Sequence, residues 1–235
     1  MKGLAQVQLA VLVVIVIAVV GVVAWKVSSN SSSVSINKDI QTKCKTVVKD
    51  DIFCKFAGAF GNVGDYKTTV SSTAEGSTTT LELANDSKDN SSMVVKQNGQ
   101  EQANVIVFSG VTYSKDYADN QWFKYGASDT TKPEALDLKK EFLKSDYKGD
   151  NGQTLQYKKI GTEKCDKLTC YKYQVVDPAK TTETSYLFFD TTSYLLRRAT
   201  VTDSSNSTNA DMTLTYETVT ITAPSPTKDL PTVTQ

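Results

Sequence analysis

A series of short strands joined by tight turns decides the fold, and it is clearest in residues 93–125, MVVKQNGQEQANVIVFSGVTYSKDYADNQWFKY. Asn98-Gly99 and Asp119-Asn120 are turn signals between runs rich in β-branched and aromatic residues. The same alternation extends outward on both sides. The predicted strands are Tyr66–Ala74, Thr78–Ala84, Met93–Gln97, Gln102–Phe108, Val111–Lys115, Gln121–Tyr125, Thr154–Ile160, Cys170–Val176, Thr184–Phe189, Leu195–Thr202 and Met212–Thr222, the last with a bulge near Glu217-Thr218.

Two helical segments are also predicted, one before the first strand and one between the sixth and the seventh. Apolar residues at helical spacing predict a first helix from Ile36 to about Asp50, continued by a second apolar turn over 52–60. Pro133 opens another helix, Glu134–Tyr147. About eleven antiparallel strands must curl, because long sheets twist. The predicted class is therefore α+β, mainly β: a strongly curved, unclosed antiparallel half-barrel with helices on its concave face, preceded by an N-terminal transmembrane helix.

The N-terminus determines the predicted compartment. Leu9–Trp25, LAVLVVIVIAVVGVVAW, carries no charge and, with its weakly polar lead-in, is long enough to cross a bilayer. We predict a signal anchor at 1–27 in a single-pass protein of the cell membrane, whose main domain lies outside the cytoplasm. A cleaved signal peptide is the main alternative. A pilin-like leader is another, although Gln8 stands where pilins place a Glu.

The remaining boundaries follow from composition. Residues 28–35 form a Ser-rich linker, residues 36–224 one domain, and residues 225–235 a Pro/Thr-rich tail predicted to be disordered. Lys plus Arg and Asp plus Glu both number 26, so no basic excess favours nucleic acid as a partner. Histidine is absent, which removes the commonest general base and zinc ligand. The sequence therefore predicts no enzyme, no catalytic residues and no cofactor.

Four cysteines outside the cytoplasm favour disulfides. Cys165 and Cys170 flank a predicted four-residue hairpin loop, Asp166–Thr169, where facing residues approach closely enough to bond. Cys44 and Cys54 form the other predicted pair, which requires a helix break between them near Asp50-Asp51, because one straight helix would hold them about 15 Å apart. A four-cysteine metal site is the alternative, but nine residues between Cys44 and Cys54 exceed the usual zinc spacing.

Two stretches carry a resemblance to a known family. Val111–Tyr113 followed by Gln121–Lys124, and Tyr186–Asp190 followed by Leu195–Arg198, resemble the paired strands of the lipoprotein-carrier fold family, which includes LolA, the RseB sensor domain and the mycobacterial LppX and LprG lipid binders. The likeness extends over Ile36–Pro224 in layout. It implies an open sheet with helices on its concave face and a lipid or lipoprotein ligand. The lipobox Cys of LppX and LprG is missing here.

These observations predict a function and a site. The domain is expected to bind a lipid or a lipidated protein in an apolar cavity, with the membrane contacted through the N-terminal helix. The alternative is a surface or assembly protein, adhesive or pilin-like, that binds another protein and no lipid. The expected cavity is partly covered by the Glu134–Tyr147 helix, although an ordinary filled core would use the same residues. Its predicted lining is Phe108, Tyr113, Trp122, Phe123, Tyr157 and Phe188.

Overall fold

The computed structural model describes residues 35–74, 76–126, 147–149, 152–205 and 207–229. Within these ranges, neither helix has the length and hydropathy needed to cross a bilayer. The predicted membrane helix at 1–27 lies outside the described residues, as do most of the Ser-rich linker and all but the last residue of the predicted Glu134–Tyr147 helix.

Two helices begin the described part of the chain. Helix α1 spans Lys38–Val47 and helix α2 spans Asp51–Phe60. The Asn37 side chain accepts hydrogen bonds from two backbone N–H groups at the start of α1, and the Asp50 side chain does the same for α2 at 2.8 and 2.9 Å. The predicted break near Asp50 is therefore confirmed, and Asp50 ends up as the cap of the second helix.

A disulfide and a close approach hold the helices together. Cys44 and Cys54 are bonded, with their Cα atoms 5.4 Å apart. One turn further along the same face of α2, a Cβ added to Gly58 would lie 2.8 Å from the carbonyl oxygen of Asn37, so only glycine lets the start of α1 come this close. The predicted pairing of Cys44 with Cys54 is confirmed.

The rest of the described chain forms one open sheet of twelve strands, with β12 and β7 at its edges. The spatial order is β12-β6-β5-β4-β3-β2-β1-β11-β10-β9-β8-β7, antiparallel throughout except for the parallel pair β12 and β6. The predicted class, mainly β with two helices on an unclosed sheet, is confirmed. The strands are β1 Tyr66–Ala74, β2 Ser77–Asn85, β3 Ser91–Gln97, β4 Gln100–Phe108, β5 Val111–Lys115, β6 Trp122–Tyr125, β7 Gln156–Cys165, β8 Leu168–Val176, β9 Glu183–Asp190, β10 Leu196–Asp203, β11 Thr208–Thr215 and β12 Thr227–Asp229.

The C-terminal end differs from its prediction. Strand β11 ends at Thr215, and residues 216–226 carry the chain from the middle of the sheet to its edge, where β12 forms inside the predicted disordered tail. The backbone N–H of Val219 donates to Asp65 along this connection, and Lys67 pairs with Glu217 at 2.7 Å. The prediction of disorder is wrong for 227–229, because local composition does not reveal distant partners.

Those partners hold β12 in place. The Lys228 ammonium donates to Asp116 at 2.6 Å and to Asp119 at 2.7 Å, and it lies 4.4 Å from the centre of the Phe123 ring. The hydrogen bond from Lys228 is the largest cause that lowers the pKa of each carboxyl below its ordinary value. Both carboxylates therefore stay ionised, and able to accept from Lys228, well into the acid range.

We expect Lys228→Met to release β12. Hydrogen–deuterium exchange should quicken in 227–229 at neutral pH, whereas Lys124→Met, which removes an exposed charge from β6, should leave it unchanged. Since the folded-state pKa values of Asp116 and Asp119 are lowered, the attachment should hold above the ordinary Asp pKa of 3.8 and weaken as the pH falls below it. Equal exchange in wild type and Lys228→Met would contradict this role.

Candidate ligand-binding face

The ring contacts of α2 define one face of the sheet, called here the helix face. Phe53 lies 4.0 Å from Tyr157 and 5.8 Å from Tyr173, measured between ring centres. Phe56 stacks on Phe189 at 4.7 Å. Farther along the helix, Phe60 meets Tyr66 on β1 at 6.4 Å. Besides Tyr147, the strand residues in ring contact with α2 lie on β1 and on β7 to β9. The strands from β2 to β6 lie on the other side of β1.

The strand register carries the helix face across that other half. Residues directly opposite each other on neighbouring strands point to the same face, and successive residues in a strand alternate. Thr68 lies on the face of Tyr66, and the pairing from β1 to β6 then runs through one row. This helix-face row consists of Thr68, Leu83, Met93, Val105, Ser114 and Phe123.

The row is apolar in its centre. Leu83, Met93 and Val105 are buried and belong to the same core cluster as the α2 phenylalanines. Val95, Leu81 and Val70 form a parallel row beside it, paired across β3, β2 and β1. These residues were not predicted as a site, although the alternation of apolar and polar residues in Leu81-Glu82-Leu83 indicates a buried face.

The structure does not bring the six predicted cavity residues together. Phe123 and Tyr157 lie on the helix face, whereas Phe108, Tyr113, Trp122 and Phe188 lie on the opposite face. The prediction that all six line one cavity is wrong. Trp122 and Phe123 are adjacent in one strand, and consecutive residues of a strand face opposite sides of the sheet, so the two could not line the same cavity.

Tyr157 belongs to the packed part of the helix face. It contacts Phe53 and also Tyr147, whose ring centre is 6.3 Å away. Burial raises the pKa of the Tyr157 hydroxyl well above its ordinary value. Tyr173 beside it donates its hydroxyl to both carboxylate oxygens of Asp50 at 3.0 Å. The Tyr157 and Tyr173 rings are therefore part of the hydrophobic core that holds α2 against the sheet.

Phe188 belongs to a separate cluster on the opposite face. It is 3% exposed and packs with the Cys165–Cys170 disulfide and with Tyr186. Lys172 and Arg198 place their charged groups 5.3 and 5.5 Å from its ring centre. Phe188 is thus enclosed by cross-strand neighbours.

The predicted disulfide between Cys165 and Cys170 is confirmed, but the hairpin turn between the two cysteines is shorter than predicted. Cys165 and Cys170 are bonded, with Cα atoms 5.9 Å apart. The turn holds two residues where four were predicted, since β7 ends at Cys165 and β8 begins at Leu168. Cys165 pairs with Leu168 and Cys170 pairs with Glu163, so the bridge runs diagonally across the hairpin. All four cysteines are therefore disulfide-bonded.

Two polar side chains lie at the β1 end of the helix face, Thr68 in the helix-face row and Asn85 beside it. Thr68 is 1% exposed and Asn85 is 6% exposed, and they lie on neighbouring strands on the helix face. Within the described part of the chain, the Thr68 hydroxyl oxygen Oγ1 and the Asn85 amide nitrogen Nδ2 are buried without a hydrogen-bond partner. Buried polar groups in folded proteins are nearly always paired, so this pair is unusual.

Other sites are poorly suited to a ligand. Within the described ranges, no three Cys, Asp or Glu side chains are grouped to hold a metal ion. A polar cleft of about 10 Å³, lined by Val175, Asp177, Lys180, Glu183 and Ser185, has room for about one water molecule. This cleft is too small and too polar for an acyl chain.

No protein-family model matches the sequence, and no curated protein matches it significantly. Solved structures do match. Lipoprotein LppX of Mycobacterium tuberculosis is 14% identical, with 79% of this chain and 100% of that one covered and a TM-score of 0.44. The MucA/MucB complex of Pseudomonas aeruginosa is 11% identical, with 75% of this chain and 56% of that one covered and a TM-score of 0.39. A LolA superfamily protein of Nitrosomonas europaea is 8% identical, with 77% of this chain and 92% of that one covered and a TM-score of 0.26.

The matched structures include LppX and a LolA superfamily protein, both named above from sequence motifs. This resemblance to the lipoprotein-carrier fold is a likeness of fold alone. At these identities and TM-scores it carries no conclusion about what this chain binds, and that question depends on the chain's own residues.

Proposed function

We propose that this protein is a membrane-tethered, extracytoplasmic domain that binds the acyl chain of a lipid or of a lipidated protein on the helix face of its sheet. The observation that carries the proposal is the helix-face row, whose buried apolar centre lies across β2 to β4, away from the strands that the α2 rings contact. The tether is the apolar segment 9–25. No catalytic activity is included, because the chain has no histidine.

Two observations support the compartment and the cover. All four cysteines are bonded, which fits an oxidising environment outside the cytoplasm. Tyr147, the last residue of the sequence-predicted second helix, is buried and contacts Phe53 and Tyr157 on the helix face. Tyr147 itself therefore lies on the helix face, where the proposal places the cover of the ligand.

Affinity on such a face comes from apolar burial. Each buried CH₂ group contributes about 0.8 kcal/mol, from which the cost of ordering the chain is subtracted. Directional contacts along the apolar centre of the row are few, because Leu83, Met93 and Val105 offer only hydrocarbon and a thioether. We therefore expect chain length to matter more than chain identity.

The consecutive residues Trp122 and Phe123 provide a matched test. Phe123→Glu places a carboxylate on the helix face and should abolish labelling of the full chain by a fatty-acid methyl ester with a mid-chain diazirine, in detergent micelles. Trp122→Glu places the same charge on the opposite face and should label like wild type. Circular dichroism and non-reducing peptide mapping would verify folding and both disulfides in each variant.

Two labelling results would contradict the proposal. Labelling that is lost in Trp122→Glu and kept in Phe123→Glu would place the ligand on the other face. A wild-type chain that takes up no acyl probe would overturn lipid binding, and the adhesive or assembly role would replace it.

A further inference from the structure

The unpaired polar atoms of Thr68 and Asn85 define one end of the proposed ligand site. Thr68 pairs with Leu83 across the β1–β2 ladder, and Asn85 pairs with Tyr66, one step along the same face. The two polar side chains are therefore diagonal neighbours on one face, a pairing that separates residues by about 7–8 Å. Both are more than nine-tenths buried.

An unpaired buried amide N–H costs stability until an acceptor is supplied. Asn85 Nδ2 offers two N–H donors, and the Thr68 hydroxyl can turn its hydrogen toward the same point. One oxygen acceptor placed between them would satisfy both groups. Neither atom has such a partner among the residues that the structure describes.

The surroundings indicate that this acceptor is uncharged. The direct cross-strand partners of Thr68 are Leu83 and Leu214, and those of Asn85 are Tyr66 and Ser91. None of these side chains carries a charge. A carboxylate or phosphate would be buried here without a cation, which is strongly unfavourable, whereas a neutral carbonyl oxygen would meet two donors and no penalty of that kind.

We propose that Thr68 and Asn85 bind the carbonyl oxygen of a neutral acyl ester, whose alkyl chain follows the helix-face row toward Phe123. This inference rests on the proposed function and adds the ligand's chemical class and direction. Five strand spacings separate Thr68 from Phe123, which gives a row about 24 Å long. The site therefore selects esters over free fatty acids at one end and accepts hydrocarbon along the rest.

The test compares two probes on the full chain in detergent micelles. One is a long-chain alkyl ester and the other is the matched alkyl ether, each with a mid-chain diazirine. Wild type should be half-saturated by the ester at about a tenfold lower concentration than by the ether, the effect of one well-made hydrogen bond. Asn85→Leu should raise the ester value to that of the ether and leave the ether value unchanged.

Thr68→Val, which keeps the shape of the side chain, should give a smaller shift in the same direction. Ser72→Ala removes another buried hydroxyl from the helix face of β1 and should change neither probe. Asn85→Leu also removes an unpaired donor, so its ligand-free melting temperature should equal or exceed that of wild type. If Asn85→Leu does not fold, the Thr68→Val comparison still decides.

Three results would overturn the inference. Equal affinity of wild type for ester and ether would mean that no carbonyl is recognised, while acyl binding itself would stand. A lower ligand-free melting temperature in Asn85→Leu would mean that the amide is already paired, for instance with a buried water. Failure of both probes to label wild type would remove the proposed function as well.

Discussion

Replacing Phe53 with alanine is expected to lower the free energy of unfolding by about 3–5 kcal/mol, the usual cost of removing a fully buried phenylalanine. Phe53 is 0% exposed, and its ring contacts Phe56, Tyr147, Tyr157, Tyr173 and Phe189. The lost ring would open a cavity where α2 meets three strands, and neighbouring rings fixed by the sheet could close it only in part.

Urea denaturation followed by circular dichroism measures this effect. The matched control is Ile160→Ala on edge strand β7, because Ile160 is 54% exposed and its change should stay within about 0.5 kcal/mol. A loss below about 1 kcal/mol for Phe53→Ala would show that α2 contributes little to stability.

The second large effect is expected from the disulfides, and their order can be predicted. Removing Cys44–Cys54 by double alanine substitution should cost about 3 kcal/mol, and removing Cys165–Cys170 about 2 kcal/mol, from the dependence of chain entropy on the size of the closed loop. The sequence separations are 10 and 5 residues. Both sulfurs of the first pair also lie at 0% exposure between the helices, so their loss removes packing too.

Non-reducing urea denaturation of the two double variants tests the order. A larger loss for the Cys165–Cys170 variant would contradict it and would assign the main constraint to the β7–β8 hairpin. Peptide mapping under non-reducing conditions would show that each variant keeps its other bridge.

Much of the sheet was predictable because its signals are local. Alternating apolar residues and the Asn98-Gly99 turn gave the strands from Tyr66 to Tyr125 within one or two residues. The helix break at Asp50 followed from disulfide geometry, since two cysteines ten residues apart cannot bond along one helix.

The site was predicted poorly because the choice of face depends on register. Phe108, Trp122 and Phe188 are the large aromatic residues that a cavity would use, yet each lies on the face away from α2. Only the pairing from β1 outward shows which residues share a face with Phe60 and Tyr66. Applying strand alternation to Trp122 and Phe123 would have separated that pair from sequence alone.

Features with distant partners were not predictable. Lys228 meets Asp116 and Asp119 more than a hundred positions away, and the tail composition gives no sign of it. The unpaired state of Asn85 and Thr68 is also invisible in sequence, because both residue types usually find partners in turns or at strand ends.

The connection between β11 and β12 has a mechanical consequence. Seven strand spacings separate these strands, about 34 Å across a flat sheet. The twelve residue steps from Thr215 to Thr227 reach about 40–43 Å when fully extended. Across a flat sheet, residues 216–226 would thus have only about 6–9 Å of spare length. If the sheet spread to admit a bulky ligand, this connecting segment would be pulled straight. The three-residue strand β12 would then detach from β6 before the longer inner strands separated from one another.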